Sequence, residues 1–493
     1  MGLRFNRIAA LLQRTLYVLA FVVAVAIFAR VRAYKARQLV LLTASYALYL
    51  TWTKWFAVVL LGSTVINYLL GQWLRRRPSW PTLMLGVLLN LGLLCSFKYL
   101  PELAIQLPFS ALQPFAHLAL PLGLSFWTFQ AMSYLFDLFR EEELDPSFVE
   151  FALYMAFFPV TISGPVCRMP EMLPQFRSEE VVKPSDRERG FSRIAIGILM
   201  MQLGKLLGQG ILAGDGINGG FDRLTRWSGA DVWCLAIGFG LQLFFDFAGY
   251  SHIAIGAAKM LGITVPENFE RPFASQTPSI FWTRWHVSLS FWIRDYVFLP
   301  LAMLRRGVLW RNFVVILAMV LFGLWHKASL AFVIWGFYHG VLLVAHRQVQ
   351  QIERRVGWEP SAAPWAALSW SATTLLVSLG WIFFRANSLA IAGQMLSAAA
   401  SLESYSVHYL SGSLYLLVLI LAIGYAAVVT ISESLKRHLD GANAAPVPSG
   451  TMAWLARKRW YWVPPLYALV LMGVLVVTMT QGATTAQFMY RAF

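Results

Sequence analysis

The segment NFVVILAMVLFGLWHKASLAFVIWGFYHGVLLVA, residues 312–345, decides the fold. It is apolar nearly throughout, yet Arg305, Arg306 and Arg311 precede it and Arg347, Arg354 and Arg355 follow. Basic residues gather on the cytoplasmic side of membrane proteins. Both flanks are assigned to that side, so the segment enters the bilayer and returns as a helical hairpin, with Lys327, Ala328 and Ser329 at its turn. The first arm is about 14 residues, or roughly 21 Å at 1.5 Å per residue, some two-thirds of a hydrocarbon core of about 30 Å. His326 is thereby placed deep in the bilayer region. An ionisable side chain at that depth is costly and marks a functional site.

The rest of the chain agrees with a membrane setting. Of 493 residues, 58% are hydrophobic and 13% charged, against roughly 25% charged in soluble domains. Apolar windows recur from Leu16–Ala29 to Trp462–Met479, with no internal repeat between them. The expected class is an all-α polytopic membrane protein, residues 1–493 forming one integral membrane domain. Several windows, among them Leu39–Tyr49 and Leu83–Leu94, fall short of the ~20 residues a simple span needs. Short, Gly- and Pro-broken segments predict re-entrant or broken helices around a central chamber, where irregular backbone can be satisfied by protein. Phe148–Val166, which holds Pro159, Gly164 and Pro165 between basic flanks, reads as re-entrant or in-plane. Arg168–Arg193 and Leu435–Arg459 read as cytoplasmic connections, and Asn387–Gly412, without Lys or Arg, as the far side. Ile194–Leu212 reads as a span between them.

The net charge of +16 is accounted for by these flanks, and no soluble basic domain exists to carry nucleic acid. Cys95, Cys167 and Cys234 show neither metal spacing nor a disulfide framework. Arg4, Arg7 and Arg14 precede the first apolar run and Arg30, Arg32, Lys35 and Arg37 follow it, without a small-residue cleavage site; a retained first helix is expected. In Pro278–Arg306, Trp282, Trp285, Trp292 and Tyr296 alternate with Arg284, His286, Arg294 and Asp295, which predicts an amphipathic helix at the interface. There is no phosphate-binding glycine loop and no G-x-S-x-G elbow.

Seven runs then carry a resemblance. They are residues 120–130 (LPLGLSFWTFQ), 157–165 (FFPVTISGP), 241–251 (LQLFFDFAGYS), 266–269 (PENF), 281–295 (FWTRWHVSLSFWIRD), 324–326 (LWH) and 381–386 (WIFFRA). In this order they resemble the membrane-bound O-acyltransferase (MBOAT) family, in particular its bacterial polysaccharide O-acetyltransferase branch, over a core of about residues 40 to 390. The resemblance implies an MBOAT-type helical bundle and a histidine-dependent enzyme of the bacterial inner membrane. His326 matches the family's catalytic histidine and His286 its second important histidine. The family has glycine where Lys327 stands.

Around them a supporting chamber is expected from Asp246, Asn268, Arg284, Trp285, Ser288, Arg294, Asp295 and Trp325. Asp246, inside an apolar run, is expected to pair with a buried Arg, Lys or His, because an unpaired carboxylate there is expensive. His252, His286 and His326 lack the spacing of a metal site, so none is expected, and His339 is assigned to helix packing. The implied chemistry moves an acetyl group from acetyl-CoA, a substrate rather than a bound cofactor, to a polysaccharide hydroxyl or a periplasmic acetyltransferase partner. Two alternatives stay open: D-alanyl transfer to teichoic acid from a carrier protein, and a transporter, which also uses broken helices and midplane polar residues.

Overall fold

A computed structural model describes residues 19, 21–51, 54–106, 110–211, 214–357 and 363–442. Among these, eight helices are long and apolar enough to cross a membrane, and the one β-pairing is an isolated bridge. The chain is an all-α polytopic membrane protein. Its contacts divide it into two compact units: Met1–Ile194 with Ser251–Glu267 and Arg294–Tyr296, and Ala195–Tyr250 with Asn268–Ile293 and Val297–Phe493. The window Trp462–Met479 and residues 443–459 of the expected cytoplasmic connection lie outside the described residues.

In the first unit, α1 (Tyr34–Leu50), α2 (Lys54–Arg76), α3 (Trp80–Lys98) and α4 (Leu124–Phe139) pack together. Buried Asn67 and Asn90 exchange amide hydrogen bonds of 3.2 and 2.7 Å between α2 and α3, satisfying polar groups that lipid could not. Phe148–Val166 holds no helix long enough to cross a membrane. Its helix, α5 (Phe148–Ala156), opens with a capping box between Ser147 and Glu150 and stops at Phe157, and its short length agrees with the re-entrant or in-plane expectation. Arg168–Arg193 is more ordered than expected. It holds α6 (Met169–Phe176) and the first turns of α7 (Pro184–Gln209), which begins ten residues before the apolar window at Ile194. Arg and Asp side chains on those early turns hid the helix from a reading based on apolar length.

The second unit is built on the Gly229–Tyr250 portion of α8 (Gly229–Met260), on two short helices, α9 (Pro278–Arg284) and α10 (Val287–Ile293), and on a hairpin of α11 (Val308–His326) and α12 (Leu330–Val356). The hairpin forms as expected, with its turn at Lys327–Ser329, but its first arm starts at Val308 and includes Arg311. At 19 residues it is about 28 Å long, and His326 is its last residue, at the turn of the hairpin and the opposite end from Arg305–Arg311. The arms approach closely: a Cβ on Gly323 would collide with the Phe332 carbonyl, and one on Gly336 with the Met319 carbonyl. Then come α13 (Ala363–Arg385), α14 (Leu389–Ala400) and α15 (Gly412–Ala442). The last carries helix through residues 435–442, where a polar connection was expected.

The stretch Pro278–Arg306 corrects the sequence reading most. It is not one amphipathic interfacial helix: α9 ends at Arg284, α10 begins at Val287, and residues Arg294–Phe298 form a π-helical turn. Trp282, Trp285, Trp292 and Tyr296 are buried. Alternating aromatics and charges served interior packing here, a distinction that composition alone does not make.

Candidate functional site

The break between α9 and α10 is made by backbone pairing. Phe269 bridges Trp285, the Glu270 N–H donates to the Arg284 carbonyl at 3.0 Å, and the Val287 N–H donates to the Asn268 carbonyl at 2.9 Å. Ser288 Oγ donates to Asn268 Oδ1 at 2.5 Å. Residues 268–270 thus pull the chain out of helix at Trp285 and His286. His286 takes φ +45°, the left-handed region that costs a non-glycine residue roughly 1–2 kcal/mol. Strain retained at a titratable residue is a pointer to function.

The strained backbone delivers the His286 ring to the interior. It is 1% exposed, and neither ring nitrogen has a hydrogen-bond partner among the described residues. Phe247 lies 4.6 Å away at 82° and Trp325 6.5 Å away. Burial pushes its pKa from 6.5 down to about 3, because the cationic form loses its hydration. The imidazole is neutral at neutral pH, with one ring nitrogen able to donate a hydrogen bond and the other to accept one.

His326 closes α11. Lys327 follows in extended conformation, φ −155° and ψ 138°, and ends the helix. Around the His326 ring stand Trp325 at 4.7 Å, Phe384 at 5.0 Å, Phe322 at 5.1 Å and Trp335 at 5.7 Å, the last perpendicular. Trp325 therefore touches both imidazoles, which lie 40 positions apart in sequence. Asn268, Trp285 and Ser288 gather at His286 as expected, with Trp285 stacked on Phe281 at 5.5 Å and 19°. Arg284 is half-buried and donates to the Ala274 carbonyl at 3.4 Å.

Three expected members depart. Arg294 and Asp295 belong to the first unit, where Asp295 pairs with Arg168 at 2.8 Å and Arg294 at 2.6 Å. There Tyr296 donates to buried Asp137 at 2.7 Å. One π-helical turn re-aims these side chains, which helical periodicity could not foresee. Asp246 does not pair with a cation: among the described residues it has no salt bridge or hydrogen bond, and α7 presents glycine to it at Gly204. A cavity of about 100 Å³ in the first unit is lined by Arg37, Gln38, Gln175, Lys183 and Asp186, and neither His286 nor His326 lines it.

His339, assigned to helix packing, is fully buried, edge-on to Trp282 at 5.2 Å and 5.0 Å from Trp335, and neither of its nitrogens has a hydrogen-bond partner among the described residues. The indole N–H groups of Trp282, Trp335 and Trp381 are likewise buried and unpaired among the described residues, each at a cost of about 1–3 kcal/mol. The four-residue spacing of Trp335 and His339 on α12 puts them on one helix face and was the available signal. His346, unremarked in sequence, bonds Ser279 at 2.9 Å. His252 lies in the first unit.

A buried pair of imidazoles sharing one indole, one of them strained and held neutral, offers hydrogen-bonding nitrogens to a substrate that brings its own polar groups. The membrane-bound O-acyltransferase family model matches residues 39–377, and the chain belongs to that family. Among its relatives, the probable alginate O-acetylase AlgI of Pseudomonas aeruginosa is 35% identical over 394 residues, 76% of this chain and 72% of that one. The peptidoglycan O-acetyltransferase of Helicobacter pylori is 30% identical over 416 residues, 76% of each chain. The teichoic acid D-alanyltransferase of Bacillus subtilis is 30% identical over 277 residues, 53% of this chain and 68% of the other. Family membership leaves the transporter reading without support.

Proposed function

We propose that this O-acyltransferase moves an acetyl group from a cytoplasmic thioester, acetyl-CoA, to hydroxyls of an extracytoplasmic polysaccharide or of a periplasmic acetyltransferase partner, in the bacterial inner membrane. The observation that carries the reading is His286, held at φ +45° with an unpaired, buried ring beside the indole that also contacts His326.

In this scheme His326 accepts the proton of the acceptor hydroxyl as its oxygen attacks the thioester carbonyl. The carbonyl oxygen becomes an oxyanion, and neutral His286 orients or stabilises the reacting group. Collapse breaks the C–S bond, and the thiolate takes the proton from His326, so ester and thiol leave with charge balanced. A positioned base contributes roughly 10²–10⁴-fold. Arg305, Arg306 and Arg311 form a basic rim that attracts the phosphates of the donor. D-alanyl transfer is the second reading; the relatives that match most of this chain are named for O-acetylation, which favours acetyl.

The purified chain, given radiolabelled acetyl-CoA and saccharide, should form labelled ester. His326→Ala should abolish transfer while the protein remains folded, and His286→Ala should reduce it strongly. Near-normal transfer by His326→Ala would remove the catalytic assignment.

A further inference from the structure

Near the middle of α8, Asp246 is partly exposed while Leu243, Phe244, Phe245, Phe247 and Ala248 around it are buried. Protein covers most of this helix. A carboxylate opening onto hydrocarbon would be prohibitively costly, so intramembrane carboxylates face protein interiors or water-filled passages. The exposed part of Asp246 is therefore assigned to a water-filled passage or protein interior rather than to lipid.

Its neighbours define what that space accepts. Gln242 lies one turn before Asp246 and Tyr250 one turn after, on one face of α8. Gln242 is 5% exposed; its Nε2 donates to Asn218 Oδ1 at 3.4 Å, and its Oε1 has no partner among the described residues. Opposite them α7 presents Gly204 and Gly208. A Cβ at Gly204 would collide with Asp246 Oδ1, and one at Gly208 would come within 2.6 Å of Gln242 Nε2. Glycine leaves the two polar side chains room to lie across α7 rather than forcing them aside.

The unmet groups are oxygens that accept hydrogen bonds: the Asp246 carboxylate and Gln242 Oε1. Such a stripe offers no cation to the anionic part of a nucleotide thioester. It complements O–H donors. We infer that Asp246 and Gln242 form the station that holds hydroxyl groups of the acyl acceptor, a neutral saccharide portion, within the second unit. This rests on the acyl-transfer reading and adds to it the residues and ligand chemistry of the acceptor side.

The test uses the detergent-purified full chain, radiolabelled acetyl-CoA, and size-fractionated extracellular saccharide from the producing cells as the acceptor probe. Wild-type chain that releases no CoA from acetyl-CoA, with or without saccharide, fails the acyl-transfer reading itself, and one that releases CoA but passes no label to saccharide overturns the saccharide station. Given wild-type transfer, Asp246→Asn should raise the KM for saccharide at least tenfold while the KM for acetyl-CoA stays within twofold. Gln242→Leu should shift the saccharide KM in the same direction by threefold or more, and it decides the matter if Asp246→Asn does not fold. Saccharide KM values at wild-type level overturn the inference, as does a parallel rise in donor KM. So does wild-type transfer that requires Na⁺ and loses that requirement in Asp246→Asn, which would make the stripe a cation site.

Discussion

Gly380 on α13 stands directly against the imidazole of His339 on α12, so that a Cβ at position 380 would collide with Nε2. Neither residue has freedom to retreat, because His339 is fully buried and wedged against Trp282 and Trp335. Gly380→Ala should destabilise the folded chain by about 1–3 kcal/mol through overpacking. The Gly380→Ala, His339→Ala pair should recover part of that loss, since the two changes share one space. Thermal unfolding of both variants in detergent measures the coupling. Strict additivity would show that the helices part without consulting His339.

Burial of His286 makes a pH prediction. Its folded pKa, pushed by burial to about 3, lies below the ordinary 6.5. Between those values the unfolded chain binds more protons than the folded one, so stability is full above about pH 6.5 and falls on acidification. The loss reaches at most about 1.4 kcal/mol per pH unit. His286→Gln, which cannot titrate, should show a flatter melting temperature between pH 6.5 and 4.5 than the wild type. Parallel profiles would mean that the ring meets water in the folded chain.

Much of this architecture was legible before any coordinates. Apolar length found the membrane helices, basic flanks found the 312–345 hairpin, and the motif order found the family. What escaped depended on tertiary pairing. The bridge between Phe269 and Trp285 breaks a stretch that reads as one amphipathic helix, and no local pattern encodes a partner 16 residues away. The π-helical turn at Arg294–Phe298 carries Asp295 to Arg168 instead of toward the histidines. Asp246 was expected to be paired because pairing is the common remedy for a buried carboxylate; a glycine on the facing helix was the alternative that sequence could not show.

The sidedness inferred from basic residues can be tested by cysteine labelling. Leu402 is 89% exposed in the segment assigned to the far side, and Arg306 is exposed in the basic rim. With exposed Cys95 first replaced by serine, Leu402→Cys in intact cells should react with a membrane-impermeant maleimide. Arg306→Cys should react only after the membrane is permeabilised. The reverse pattern would overturn the orientation and the cytoplasmic route for the donor.

Lys327 replaces the glycine of the resembling motif, and its backbone tells what that glycine does not do. At φ −155° the residue is extended, a conformation open to any L-residue, so no left-handed turn demands glycine after His326. The lysine is exposed while His326 beside it is buried. Lys327→Gly should therefore leave the rate of acyl transfer within about threefold, under 1 kcal/mol of barrier. It should also lower stability by roughly 0.5–1 kcal/mol, because glycine adds backbone entropy to the unfolded chain. Rate and unfolding are measured on the same preparation. A tenfold loss of rate without a matching loss of stability would show that the ammonium group acts on the donor or acceptor beside His326.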